Sequence, residues 1–182
     1  MSDTKCISRD GCGNMTENEK RLLRCSFTGH RPEKIIGSEA AVKEALGQAI
    51  DAALCAGKRI FISGMARGVD IWAAELVLER KRQNSDLHLI CALPHPDFEK
   101  RWSLHWQRRY CAVLRQADLI REISTSFSMA SYQKRNVWMV DHSSLVIAVF
   151  NGEAGGTKKT IDYAMEQGIE VNLIDMRGST RE

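Results

Sequence analysis

The sequence predicts a three-layer α/β domain with a mostly parallel sheet of about six strands. Three observations give this. Short, continuously apolar runs recur along the chain, longer segments of helical period separate them, and three of the apolar runs lead directly into a glycine-bearing loop. Continuous rather than alternating apolarity marks strands covered on both faces, which requires helices on both sides of the sheet. Successive βα units of this kind predict a Rossmann-like domain rather than a sandwich or a helix bundle.

The first 20 residues, closing on Thr16-Glu17-Asn18-Glu19-Lys20, are polar and lack a period, so they are expected to form a flexible leader. A single domain is expected over 21–178, with 179–182 as a tail. Leu22–Thr28 reads as the first strand. Val42, Ala45, Leu46, Ala49, Ile50, Ala53 and Leu54 then recur at helical spacing, with Ser38 placed as N-cap and Gly57 as the stop. Arg59–Ser63 is the second strand, and a helix from about Asp70 to Arg82 presents Trp72, Ala73, Leu76 and Val77 on one stripe. Leu87–Ala92 is the third strand. A helix beginning after Pro96 carries Phe98, Trp102, Trp106, Tyr110 and Val113 at steps of three or four, flanked by Lys100, Arg101, Arg108 and Arg109. Helical spacing buries such a stripe against the sheet and leaves the cations in water, whereas a stacking surface for nucleic acid needs exposed rings. Leu119–Ile123, Ser144–Phe150 and Ile169–Ile174 complete the sheet, with Asn136 and Asp141 on the helix before the fifth strand.

At 182 residues, 43% hydrophobic and 27% charged, the composition is that of a soluble globular protein. No apolar run approaches the roughly 20 residues of a membrane span, and the polar start lacks a signal-peptide core, so a cytoplasmic protein with no membrane partner is expected. A net charge of +3 falls short of the dense basic footprint of a dedicated nucleic-acid binder. Cys25, Cys55 and Cys91 sit in apolar periodic segments and are expected as buried free thiols. Cys6 and Cys12 have no second Cys/His pair at zinc-finger spacing, so no metal site is expected.

The chemistry is expected in the three glycine loops: Thr28-Gly29-His30-Arg31-Pro32, Ser63-Gly64-Met65-Ala66-Arg67-Gly68-Val69-Asp70, and Asn151-Gly152-Glu153-Ala154-Gly155-Gly156-Thr157. In a parallel sheet such loops emerge at one edge, where glycine lets main-chain N–H groups approach phosphate oxygens and helix N-termini add positive charge. Arg31 and Arg67, with the hydroxyls of Thr28, Ser63 and Thr157, suit an anion, because a guanidinium donates two parallel hydrogen bonds to one phosphate. His30 can contact phosphate or ribose or brace its own turn. Trp72 can stack on a base or pack in the core, and His95, between Pro94 and Pro96, falls on the rim of the same edge. G-x-G-x-x-G and the P-loop G-x-x-x-x-G-K-(S/T) are both absent, which argues against NAD dehydrogenases and P-loop NTPases.

On these residues the chain resembles the SLOG superfamily of Rossmann-like domains, and within it the YpsA-like group. The motifs that carry the resemblance are Thr28-Gly29-His30-Arg31-Pro32-Glu33-Lys34, Ser63-Gly64 through Trp72-Ala73-Ala74-Glu75, and Gly155-Gly156-Thr157, and it extends from about residue 22 onward. The second loop is similar to the S-G-x-A-x-G-(I/V)-D stretch of DprA, a DNA-processing protein. Tyr132-Gln133-Lys134-Arg135-Asn136 and the segment Asn151–Thr160 resemble the paired motifs of LOG phosphoribohydrolases, which cleave nucleoside monophosphates. There Arg135 falls on the family's arginine and Gly156 with Thr157 on its G-T pair, but Thr160 stands where the catalytic glutamate belongs. Cleaving an N-glycosidic bond needs a carboxylate beside the developing oxocarbenium ion. Glu75 and Asp162 are the candidates for a substitute.

The resemblance thus implies a ligand site at Thr28, Gly29, His30, Arg31, Ser63, Gly64, Met65, Ala66, Gly68, Asp70, Trp72, Arg135, Asn136, Gly155, Gly156 and Thr157. The implied ligand is a nucleoside phosphate, ADP-ribose or a dinucleotide derivative. Three functions are compatible with it: binding or sensing of such a ligand, N-glycosidic cleavage of nucleotides, and single-stranded DNA binding as in DprA. Relatives in the superfamily self-associate, so a homo-oligomer is also expected.

Overall fold

The computed structural model describes residues 15–176. The elements run α1 (Glu17–Leu22), β1 (Arg24–Gly29), a 3-10 turn (Pro32–Lys34), α2 (Glu39–Cys55), β2 (Ile60–Ser63), α3 (Val69–Lys81), β3 (His88–Leu93), α4 (Leu104–Leu114), β4 (Leu119–Glu122), α5 (Met129–Asp141), β5 (Leu145–Phe150), α6 (Gly156–Glu166) and β6 (Glu170–Asp175). All six strands are parallel, in the order β4-β3-β2-β1-β5-β6.

With right-handed parallel crossovers, this order decides the face on which each helix lies. The chain steps outward from β1 to β4 and lays α2, α3 and α4 on one face, then returns past β1 to β5, which sends α5 and α6 to the other. The larger core cluster packs Leu46 and Ile50 of α2 and Ile71 of α3 over Phe27, Phe61 and Ile147. Phe27 and Phe61 stack at 5.9 Å. On the opposite face Val140 of α5 and Ile161 and Ala164 of α6 cover Val146, Ala148 and Phe150. The direction of strand order reverses between β1 and β5, so the loops after these two strands part to opposite faces and open a crevice at the carboxyl edge.

Several expectations are corrected locally. Leu22 does not begin β1 but ends α1, because Thr16 and Glu19 form a reciprocal capping box: the Glu19 N–H donates to Thr16 Oγ1 at 3.3 Å and the Thr16 N–H to Glu19 Oε2 at 2.7 Å. The end of the polar segment is therefore helical from Glu17. Residues 1–14, with Cys6 and Cys12, and the 179–182 tail lie outside the described residues.

The helix expected after Pro96 starts only at Leu104. Asp97 adopts a left-handed φ of 60°, and Phe98 to Ser103 turn before the helix forms. The aromatic stripe still packs inward: Phe98, Tyr110 and Val113 are buried, and Trp106 lies 6.2 Å from Trp72. Cys55 is exposed at the end of α2, whereas Cys25 and Cys91 are buried free thiols. Burial pushes the Cys25 thiol up and that of Cys91 up to about 12. β4 at one edge is exposed along its whole length, which its apolar Leu119-Ile120 did not suggest. Among the described residues no helix is long and apolar enough to cross a membrane.

Candidate functional site

A cleft of about 500 Å³ opens at the carboxyl ends of β1 and β5, a volume in the range of small-ligand sites. From the first loop Thr28, Gly29, His30 and Arg31 line it. Gly29 is required by close packing, since a Cβ there would fall 2.5 Å from Val69 Cβ at the start of α3. The His30 ring is buried and stacks on Phe150 at 5.7 Å, and its Nε2 has no hydrogen-bond partner. Burial, with the charge of Lys34, holds its pKa below the ordinary histidine value. Arg31 is exposed and forms no ion pair among the described residues.

In the second loop Ala66, Arg67 and Asp70 reach the cleft, whereas Ser63, Gly64, Met65 and Gly68 lie behind it as its scaffold. The Ser63 hydroxyl donates to the Asp70 carbonyl at 2.8 Å and accepts from the Met65 N–H at 3.1 Å. Met65 is buried with a left-handed φ of 59°, and Gly68, with φ 89°, passes under the His30 carbonyl where a Cβ would come within 2.9 Å. Asp70 accepts from the Ala66 N–H at 3.2 Å. Trp72 is 2% exposed in the core against Trp106, so it offers no face to a base.

Arg135 reaches from α5 over the carboxyl end of β2. Its Nη1 donates to the Gly64 carbonyl and lies 3.6 Å from Asp70 Oδ2, while its Nε is buried without a partner. A Cβ on Gly64 would collide with this guanidinium. Burial raises the Asp70 pKa against the pull of Arg135. Burial also works against the Arg135 charge, and Arg31 adds to that effect. Asn136 lines the cleft beside it.

From the third loop Gly155, Gly156 and Thr157 line the wall, and α6 begins there at Gly156. Thr160 does not face the cleft chemistry: it is buried, and its hydroxyl donates to the Gly156 carbonyl at 2.9 Å. Neither carboxylate candidate lines the cleft. Glu75 accepts from Arg109 at 2.6 Å and Lys43 at 3.1 Å, and exposed Asp162 pairs with Lys158 on the same helix.

The loops are tied to one another by ion pairs: Arg67 with Glu33 at 3.0 Å, and Lys34 with Glu153 at 2.9 Å. Asn151 also donates to the Lys34 carbonyl at 2.9 Å. Lys34 itself faces the cleft and was missing from the expected set. Missing too was an entire aromatic wall of Phe98, Trp102, Phe127 and Tyr132. Behind it His95 is buried, with Nδ1 2.8 Å from the Pro96 carbonyl and Nε2 3.5 Å from Tyr132 Oη, so it supports the wall and does not line the cleft. Among the described residues no group of three His, Cys, Asp or Glu stands together as a metal site.

Comparison with known proteins adds lineage to this geometry. The model of the YspA SLOG family matches residues 26–177. The SPbeta prophage-derived protein YoqJ of Bacillus subtilis is 33% identical over 116 residues, covering 57% of this chain and 68% of that protein. A UPF0398 protein of Ligilactobacillus salivarius is 27% identical over 143 residues, covering 74% of this chain and 78% of its own. Among solved structures, DNA processing protein A from Helicobacter pylori, described for its single-stranded DNA binding mode, superposes with a TM-score of 0.61 at 17% identity. That likeness covers 92% of this chain and 71% of the other, and it concerns the fold.

Proposed function

The chain belongs to the YspA SLOG family, and on that premise we propose that its cleft binds a phosphate-bearing nucleotide derivative: a nucleoside phosphate, ADP-ribose or a dinucleotide derivative. The phosphate would lie between Arg31, Arg135 and the start of α6. The observation that carries this reading is the pair Arg31 and Arg135. Both line one cleft, the Arg31 charge works against that of Arg135, and the buried Nε of Arg135 is unpartnered. A buried donor without an acceptor costs free energy, and two like charges facing one hollow cost more, so an anion between them relieves both. A helix N-terminus at the same wall adds partial positive charge.

The role proposed is binding or sensing rather than bond cleavage. Asp70 is the carboxylate among the residues lining the cleft, and its oxygen is already shared between the Ala66 N–H and Arg135. Calorimetric titration with AMP, ADP-ribose and NAD tests the proposal. Saturable binding by at least one of them is expected, weakened roughly 10- to 100-fold in Arg31→Ala. No saturable binding by any of the three would overturn it.

A second reading, single-stranded DNA as the ligand, is favoured by the fold shared with DNA processing protein A. Strand binding releases counterions, so its affinity would fall steeply with salt. Nucleotide binding through one or two phosphates would fall only weakly.

A further inference from the structure

We infer that the aromatic wall of the cleft is a base-stacking subsite with Phe127 as its platform, so that the ligand is recognised by a planar base as well as by its phosphate. This rests on the nucleotide reading above.

Phe127 is a large ring that the fold leaves in water. It is 65% exposed and sits in the loop between β4 and α5, flanked by Ser126 and Ser128. Its neighbour in the cleft, Met129, is 80% exposed. Apolar side chains of this size are left in water at a cost that burial elsewhere does not return. Yet Phe127 is not free to wander. The ring of His95, itself 6% exposed, meets it edge-on at 5.2 Å and 84°.

His95 is fixed in turn. With its Nδ1 2.8 Å from the Pro96 carbonyl, that nitrogen carries the hydrogen and donates it, which leaves Nε2 as acceptor toward the Tyr132 hydroxyl. The same ring meets Tyr132 and Phe98 edge-on at 5.7 and 5.9 Å. A buried imidazole therefore orders a set of rings that lines the ligand cleft, and leaves one of them open to solvent.

The same cleft is lined by Arg31, Arg135 and the start of α6. It therefore brings cations and aromatic rings together. A bare phosphate or sugar phosphate would use only the cations, whereas a nucleotide carries an anionic end and a flat π-face on one molecule. Aromatic stacking accepts any base, so Phe127 would supply affinity for a nucleotide without choosing among bases.

Calorimetry with AMP and ribose 5-phosphate separates the two kinds of contact, because these probes share the phosphate and sugar and differ by the base. Wild-type protein is expected to prefer AMP by about tenfold or more. Phe127→Ala should abolish most of that preference, and Phe127→Trp should keep it. Because Phe127 is exposed, far-UV circular dichroism should show both variants folded. Equal affinity for the two probes in the wild type, or an unchanged preference in Phe127→Ala, would overturn the base subsite while leaving phosphate recognition standing. Binding of none of AMP, ribose 5-phosphate, ADP-ribose and NAD would remove the nucleotide reading and the subsite with it.

Discussion

Asp70 and Arg135 face each other at 3.6 Å beneath the cleft, joining the start of α3 on one face of the sheet to α5 on the other. Both are buried, and the pair holds the Arg135 guanidinium as a strut at the cleft. Removing the carboxylate leaves a buried cation uncompensated and the Ala66 N–H without its acceptor. Asp70→Ala should therefore cost on the order of 3 kcal/mol in chemical denaturation. Asp70→Asn should recover only part of this, because an amide oxygen still accepts from Ala66 but leaves the Arg135 charge without its counter-ion.

Gly29 is the point where β1 touches α3. In Gly29→Ala the new methyl meets Val69 at 2.5 Å, and either the strand end or the helix start must move. A loss of roughly 1–3 kcal/mol in stability is expected. AMP affinity should fall as well, since the displaced segment carries His30 and Arg31. Gly29→Ala with wild-type affinity would show that the spacing between β1 and α3 does not shape the cleft.

His30 gives the protein a pH dependence of known sign. Its folded pKa lies below the ordinary value of about 6.5, through burial first and the Lys34 charge second. The unfolded chain therefore binds its proton more readily. The stability from keeping His30 neutral is fully present above pH about 6.5 and is lost as pH falls below that value toward the folded pKa. Melting temperatures between pH 7.5 and 5 should decline, and His30→Phe, which can stack on Phe150 without ionising, should flatten that decline.

Glu75 separates structure from chemistry. Burial works to raise its carboxyl pKa, but the Arg109 hydrogen bonds and then Lys43 outweigh it and hold the group below the usual range. Its stabilisation is present above the ordinary glutamate pKa and fades as pH falls through the lowered one. Glu75→Gln should cost about 1–2 kcal/mol of stability and leave AMP affinity as it was. A loss of ligand binding or of any nucleotide turnover in this variant would return Glu75 to the site.

The layered fold was legible because β1, β2, β3 and β5 are sandwiched between helices, and only continuous apolar runs such as Leu145–Phe150 survive there. The edge strands were legible in position but not in environment, since exposure at Leu119 and Ile120 depends on which strand lies outermost. The arrival of Gly29, Arg31 and Gly156 at one cleft followed from parallel topology alone. Gly64 could not be assigned that way: its glycine serves the side chain of Arg135, 71 residues on, and that approach depends on tertiary packing. The aromatic wall stayed hidden for a similar reason. Phe98 and Trp102 mimic a helical period although they stand in turns, and Phe127 is a single ring in a polar loop. Its one local signal was an apolar residue between serines where a strand passes into a helix.

A crystal structure of the protein with AMP bound tests the cleft as a nucleotide site. The phosphate is expected within hydrogen-bonding distance of Arg31, Arg135 and the main-chain amides at Gly156, with the adenine against Phe127. Density for AMP elsewhere on the surface, or a cleft left unoccupied at saturating AMP, ADP-ribose and NAD alike, would contradict it.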